Sequence, residues 1–535
     1  MDGVAVAAEF ERVLRTPVGG SDDFFSLGGT SLLAARVVAG VAARSGRLFT
    51  LVDILRLRTP DAIADHLSRA PAAPDWLPAA PGDRFELAPP QRWYAQVYAG
   101  PRARTGVMAF PVPLPGGTEP AAVRRALDGL LDRHDALRTS IRSEDGRLVQ
   151  LVPPAGAPRD RSWVTVADVP GGAAEVARAA AERRAEGAAA GIPLDGGPLL
   201  RAVLVRGTEP AAARPAELAV VAHHLVLDGP SVPVVSRELL AFLAGTAGDL
   251  PPATSYRAYT SWRLGRETAA GTAAVRAWWA DRLAGFDSGC HLPVRGAPGP
   301  YPGYATTRVL PEAVRAAVDR AARRHAVPVS AVRIAAWFVL CHALYATDDM
   351  VVSMPVTVRE HPALRDAVGM FANHALLRHR LRPGETVSEL VLDTVTGLTD
   401  SVDHREHGFD VAMALLPERC EPGRFPITGA IVNGAEADPA LAAPPAEPVT
   451  AGLRRTGVSD LQLFLADAPD RVDLELQHRA DILAPEEGRR VQDCYVDLLA
   501  RLAGAAAGDP VADLVAAAEQ GLRPVRAARE GVRAR

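Results

Sequence analysis

Apolar residues recur at helical spacing in four short stretches at the start of the chain. Val4 to Leu14 and Leu32 to Ala43 each carry a stripe of apolar positions three and four apart. Leu51 to Leu55 adds a shorter piece, and Pro60 to Leu67 opens with proline at the first helical turn, where a missing N–H costs nothing. Between the first two lies GGSDDFFSLGGTS, too rich in glycine for regular structure. Short amphipathic helices bury their apolar faces only against one another, so residues 1–70 are predicted to form a small all-α bundle of four helices.

Pro71, Pro74, Pro78 and Pro81 then punctuate an Ala-rich stretch with few apolar anchors, the composition of a semi-rigid linker over 71–83. Beyond it, strand-like runs alternate with amphipathic helices for more than 400 residues. The strands are read at Leu199–Val205, Leu218–Ala222, Asp349–Met354, Leu461–Ala466 and Val472–Gln477. Helices are read at Pro120–His134, Glu175–Ala190, Val232–Ala244, Pro311–His325 and Pro485–Leu502. No internal repeat is visible. Pro439 to Pro448 reads as a long surface loop, and the Arg/Ala-rich tail 512–535 as disordered.

Composition narrows the picture. At about 150 residues per domain, 535 residues predict three or four folding units. With 48% hydrophobic and 23% charged residues the chain can bury sizeable cores, which excludes wholesale disorder. The net charge of −4 argues against nucleic acid or an anionic membrane as the main partner. All 59 basic residues are arginine, which looks like the codon bias of a GC-rich genome. Cys290, Cys341, Cys420 and Cys494 are scattered and suit a reducing cytosol. No basic start followed by an apolar run marks a signal peptide, and the most apolar segment, Ala326 to Ala346, contains Pro328 and Arg333. A buried helix is predicted there, and a cytoplasmic, soluble protein overall.

Two motifs carry chemistry. Ser31 follows Gly28-Gly29 and opens an apolar helix, so a phosphate attached there would meet free backbone N–H groups and the positive helix end. Taken alone, G-G-x-S is an ordinary helix cap. The whole string DDFFSLGGTSL, however, resembles the signature of the carrier proteins of nonribosomal peptide synthetases. Asp22, Asp23, Phe24, Phe25 and Leu27 fill that family's loop positions, and Leu51, Ile54, Thr59, Pro60 and Ile63 its third and fourth helices. The resemblance implies that Ser31 carries a covalent 4′-phosphopantetheine arm, installed by a phosphopantetheinyl transferase. Thr30 stands where the family often has aspartate or histidine.

The second motif is AVVAHHLVLDGPS, Ala219 to Ser231. An apolar strand ends at His223-His224, and neighbouring side chains on a strand point to opposite faces, so only one histidine can enter a given cavity. Imidazole titrates near neutrality, which suits removing a proton from an amine or alcohol. A pair of histidines alone also reads as partly buried residues bonded to backbone groups. The full HHxxxDG array resembles the central motif of condensation domains from the same synthetases. That resemblance implies an active-site His224, with His223, Asp228 and Gly229 completing the motif and an arginine through which Asp228 organises the site. RHDALRTS, Arg133 to Ser140, supplies Arg138 as the candidate partner and Arg133 as the second. LAPPQRWY (Leu87–Tyr94), YRAYTSW (Tyr256–Trp262) and VGMFANHALLR (Val368–Arg378) fit the family's other motifs in order, with weaker matches at DHREHGFD and near Phe425.

Together these imply a carrier at 1–70 and a mixed-sheet α/β condensation domain at 84–511. The domain would be two chloramphenicol-acetyltransferase-like lobes (84–255 and 256–511) in a V, with His224 between them. The donor would be an acyl thioester on Ser31, loaded by an upstream adenylation domain or synthetase. The acceptor would be held on a carrier in trans or be a free small-molecule nucleophile, and the product an amide or an ester. No metal-ligand spacing is present. An epimerisation domain shares HHxxxDG and is the main alternative, but its glutamate base falls at Pro355 in PVTVRE, and Val232 replaces its tryptophan. A non-catalytic recruitment module is the other: Pro230, where the family prefers a bulky residue, and Ala88, where LAPPQRWY departs from the family's serine, keep it open, while the intact His224 and Asp228 count against it.

Overall fold

The computed structural model describes all residues except 30, 73–81, 98–105, 159, 161, 195–197, 209–213, 288–291, 295–301, 360, 406, 408, 417–426, 428, 437–448, 456–458, 469 and 534–535. Most of the linker, the Pro439–Pro448 loop, Cys290, Cys420 and Phe425 lie outside the described residues.

The first 70 residues form helices Gly3–Leu14, Ser31–Ser45, Leu51–Leu57 and Pro60–Arg69. Asp2, Thr50 and Thr59 accept hydrogen bonds from first-turn N–H groups, satisfying donors that a helix start leaves open. Phe10, Phe24, Ile54 and Ile63 are buried at the centre, with the Phe10 and Phe24 rings edge-on at 4.9 Å. A Cβ at Gly29 would fall 2.3 Å from the Phe24 ring, so only glycine lets the loop close over this core.

The remaining chain builds two helix-backed lobes. In the first, strands Val107–Leu114, Ala216–His223, Leu200–Gly207 and Val164–Val169 form a mixed sheet in that order. A small antiparallel sheet, Arg84–Glu86, Arg147–Leu151 and Ser140–Glu144, lies beside it. The second lobe has a seven-stranded mixed sheet. Its order is Ala372–Arg380, Asp349–Thr357, Gly429–Glu436, Leu461–Asp467, Val472–Arg479, Pro302–Val309 and Val449–Arg455. Helix Val329–Tyr345 runs through its core with every residue from Ser330 to Leu344 buried, the buried helix that the all-round apolar pattern predicts. Among the described residues no single helix is long and apolar enough to cross a membrane.

Two expectations change. The tail expected to be disordered is helix Val511–Arg533. Val511, Leu514, Ala518, Leu522 and Val525 are spaced 3, 4, 4 and 3 apart and are buried in the second lobe's core. The Arg/Ala-rich composition hid that stripe. Strand Ala372–Arg380 was legible only as a motif, because His374 and His379 interrupt the apolar pattern of this edge strand, which pairs along its whole length with Asp349–Thr357.

The bundle packs on the second lobe. Val52 joins that lobe's apolar core, Arg58 donates to the Ala326 carbonyl, and Arg56 pairs with Asp403. Helix Ser31–Ser45 lies against strand Gly429–Glu436 and the 3-10 turn Pro362–Leu364. The Arg56 ion pair is half exposed, so it is worth at most about 1 kcal/mol. Arg56→Glu is therefore expected to weaken the seating of the bundle on the second lobe only about two- to fivefold. Partial recovery in the Arg56→Glu/Asp403→Arg double variant, read by hydrogen exchange of the bundle amides that face the second lobe, checks this docking.

Candidate active site

Strand Ala216–His223 ends where the two histidines diverge. His223 is fully buried, and its Nδ1 accepts from the Leu225 N–H at 3.1 Å, so it braces the turn. His224 is half-buried and points the other way. Its Nδ1 lies 3.2 Å from the Met370 sulfur and its ring stacks on Tyr94 at 5.3 Å, while Nε2 has no hydrogen-bond partner among the described residues. Burial lowers the His224 pKa, and the Asp228 charge partly opposes that shift. The imidazole is thus neutral, with one nitrogen available, at ordinary pH.

Asp228, 1% exposed, ties the lobes together. Its Oδ1 accepts from the Ser231 N–H (3.0 Å), the Ser231 hydroxyl (2.5 Å) and Arg359 Nη2 (2.7 Å), and its Oδ2 accepts from the Phe371 N–H (3.2 Å). Arg359 also donates to the Leu364 and Ala367 carbonyls, both at 2.7 Å, and its guanidinium lies 4.1 Å from the Phe371 ring centre. The loop 359–371 of the second lobe is thereby fastened to the histidine turn of the first. From the other side, Gln91 donates to the Leu225 carbonyl at 2.8 Å, which gives the LAPPQRWY motif its place. Gly229 is exposed in the turn, and a Cβ there would meet nothing within 4 Å. It shapes the chain and reaches none of the polar groups.

The expected partner of Asp228 was Arg138, with Arg133 second, and neither occupies that place. Arg138 ends the 3-10 turn Asp135–Arg138, and its guanidinium donates to the carbonyls of Leu131, Asp132 and Pro153. Arg133 pairs with Glu238 and donates to the Pro251 carbonyl. Both serve the helix ends behind the site. Arg359 was missed because it lies 131 residues from Asp228, in a segment (PVTVRE) that draws attention only for its missing glutamate. Nothing local marks it.

Asn373 donates to the Arg405 and His407 carbonyls at 2.7 Å and holds the loop after helix Val387–Asp403. Its neighbour His374 faces the other side of the strand, where Tyr94 Oη lies 2.7 Å from Nε2 and Ser353 Oγ 2.6 Å from Nδ1.

At the carrier, Ser31 is the first residue of a 15-residue helix, following Gly28 at φ +92°. The tight turn and the helix start offer backbone N–H groups to a phosphodiester, so the residues present fit a phosphopantetheine group. No cluster of metal-binding side chains occurs among the described residues.

A four-helix carrier fused to two mixed-sheet lobes, joined at a histidine turn by a buried Asp–Arg pair, defines a carrier-linked acyltransferase of the chloramphenicol-acetyltransferase type. Residues 83–433 match the family model Condensation domain, and residues 4–67 match Phosphopantetheine attachment site. The chain belongs to the condensation-domain family, acyltransferases that form peptide bonds in nonribosomal peptide synthetases, and carries its own phosphopantetheine-bearing carrier in front. It is 30% identical over 504 residues to the probable non-canonical nonribosomal peptide synthetase CymA of Salinispora arenicola, covering 86% of this chain and 6% of that protein. It is 27% identical over 517 residues to N-(5-amino-5-carboxypentanoyl)-L-cysteinyl-D-valine synthase of Amycolatopsis lactamdurans, covering 94% and 14%. The chain spans a small part of the length of the curated relatives it matches. Among solved structures, the X-domain from teicoplanin biosynthesis superposes with a TM-score of 0.68 at 21% identity, over 82% of this chain and 99% of that one. The SgcC5 protein of Streptomyces globisporus gives 0.62 at 22%, over 78% and 98%.

Proposed function

We propose that this chain transfers an acyl group from its own carrier, through Ser31, to an amine or alcohol nucleophile, with His224 as the base. The observation that carries the reading is the exposure of one neutral ring nitrogen of His224 on a turn that Asp228 and Arg359 hold rigid. When bound to Ser31, 4′-phosphopantetheine supplies the thiol on which the donor is held as a thioester. The nucleophile's nitrogen or oxygen bonds to the carbonyl carbon, the C–S bond breaks, and His224 carries the proton to the departing sulfur. A positioned base of this kind is worth about 10²–10⁴ in rate. The acceptor is a carrier-bound amine in trans or a free nucleophile, and an upstream adenylation unit loads the donor.

Epimerisation is disfavoured by the strand that would hold its second base. Pro355 stands where that family's glutamate falls, and it pairs directly with His374. Both nitrogens of His374 already lie within hydrogen-bond distance of Tyr94 and Ser353. Among the described residues, neither Pro355 nor His374 supplies a free base for the far face of an α-carbon. The intact Asp228–Arg359 pair argues against a purely recruiting role.

The test is intact-mass analysis of the chain after treatment with a phosphopantetheinyl transferase and an acyl coenzyme A, with and without candidate nucleophiles. Wild type is expected to gain the acyl-phosphopantetheine mass and lose the acyl part when the right nucleophile is added. Ser31→Ala is expected to gain nothing. Chiral analysis of the recovered acyl group separates the rival outcome, since inversion without transfer would replace this reading.

A further inference from the structure

The second histidine in the site, His374, belongs to none of the motif residues that the mechanism uses. It is half-buried, as His224 is, and the two imidazoles flank one side chain: Tyr94 lies 5.3 Å from the His224 ring and 5.6 Å from the His374 ring, at interplanar angles of 30° and 33°. Trp93 and Phe409 pack against His374 at 5.5 and 4.9 Å. The titratable groups facing it are Tyr94 and His224, with the Asp228–Arg359 pair behind the latter.

Hydrogen-bond accounting assigns the protons. Ser353 Oγ is completely buried, and His374 Nδ1 is its hydrogen-bond partner among the described residues. A buried hydroxyl must place its proton on an acceptor, so the serine donates to Nδ1. A neutral imidazole then carries its own proton on Nε2 and donates it to the Tyr94 oxygen 2.7 Å away. Burial, together with the neighbouring His224, lowers the His374 pKa to about 3, which keeps the ring neutral.

We infer that His374 is a positioning residue for acyl transfer: bridging Ser353 and Tyr94, it fixes the phenol ring on which His224 stacks and so sets the angle at which His224 meets the nucleophile. This rests on the reading of His224 as the base. Because stacking constrains only ring orientation, the effect falls on turnover and leaves acceptor binding alone. A misaligned base costs about 10- to 100-fold in rate.

Two measurements on the full-length loaded chain decide it. In single-turnover kinetics, His374→Ala is expected to lower the maximal rate about 10- to 100-fold with half-saturation for the acceptor unchanged. His374→Gln, whose amide can still donate to Tyr94, should recover most of the loss. Tyr94→Phe, which keeps the ring, should match His374→Ala, and the double variant should be no worse than either. A wild-type rate in His374→Ala, or losses that multiply in the double variant, would overturn the inference. The second measurement needs no reaction: nitrogen-15 spectra of histidine-labelled protein should show His374 protonated on Nε2. Protonation on Nδ1 would reverse the bridge and end the proposal. If wild type itself transfers nothing, the acyl-transfer reading fails while the spectra still report the bridge.

Discussion

Changing His224 to alanine is expected to slow transfer from the loaded carrier by about 10²–10⁴-fold while leaving modification of Ser31 unaffected. The reason is geometric. Nε2 is the ring nitrogen without a partner among the described residues, and Met370, Tyr94 and the backbone bond from His224 N–H to the Gly106 carbonyl (2.7 Å) fix where it points. The same geometry sets a pH dependence. Burial disfavours the imidazolium, so the folded pKa lies below the ordinary value of about 6.5. The base form persists as pH falls through 6.5, and the rate should decline only at more acid pH. Asp228 raises that pKa, so Asp228→Asn should push the acid limb still lower. Single-turnover rates measured across the acid range by quenching and mass analysis test both. A His224→Ala rate equal to wild type would remove His224 from the mechanism.

Arg359→Ala is expected to have the largest effect on stability. Asp228 would keep its three donors from Ser231 and Phe371 but lose its cation at 1% exposure. Breaking one side of a buried ion pair costs about 3–5 kcal/mol, because the remaining charge stays away from water. Transfer should fall as well, since the loop 359–371 that carries Met370 would no longer be fastened to the histidine turn. Denaturant unfolding of the full chain, followed beside transfer kinetics, reads both losses. Arg138→Ala, by contrast, leaves backbone carbonyls without a donor, at about 1–3 kcal/mol, and should not move the acid limb of the rate. Equal stability of Arg359→Ala and wild type would show that the pair does not hold the lobes.

Local chemistry was legible and distant pairing was not. The four carrier helices are recognisable because each has a short apolar stripe, and the fourth opens on proline, features a reader finds within fifteen residues. The histidine turn is recognisable for the same reason: strand, turn and helix cap all fall between Ala219 and Ser231. On paper Arg138 stands in a motif that offers it as the partner of Asp228, while nothing in the sequence marks Arg359. Arg138 is taken by the carbonyls at the end of the preceding helix, Pro120–Arg133, and by that of Pro153, a competition visible only once these have a position in space.

His374 and helix Val511–Arg533 make the same point from the side of burial. Histidine and arginine read as surface residues in a one-dimensional pattern, yet the sheet carries His374 inward beside Tyr94, and the second lobe covers the stripe from Val511 to Val525. Periodicity, caps and contiguous motifs depend on neighbours within a turn or a strand, so the amino-acid order alone decided the carrier bundle, its serine and the histidine turn. The Asp228–Arg359 clasp, the Ser353–His374–Tyr94 bridge and the Arg56–Asp403 pair that seats the carrier on the second lobe join groups from 21 to 347 residues apart. Their pairing was decided by how the two lobes close, because a buried charge or hydroxyl takes the partner that folding leaves nearest.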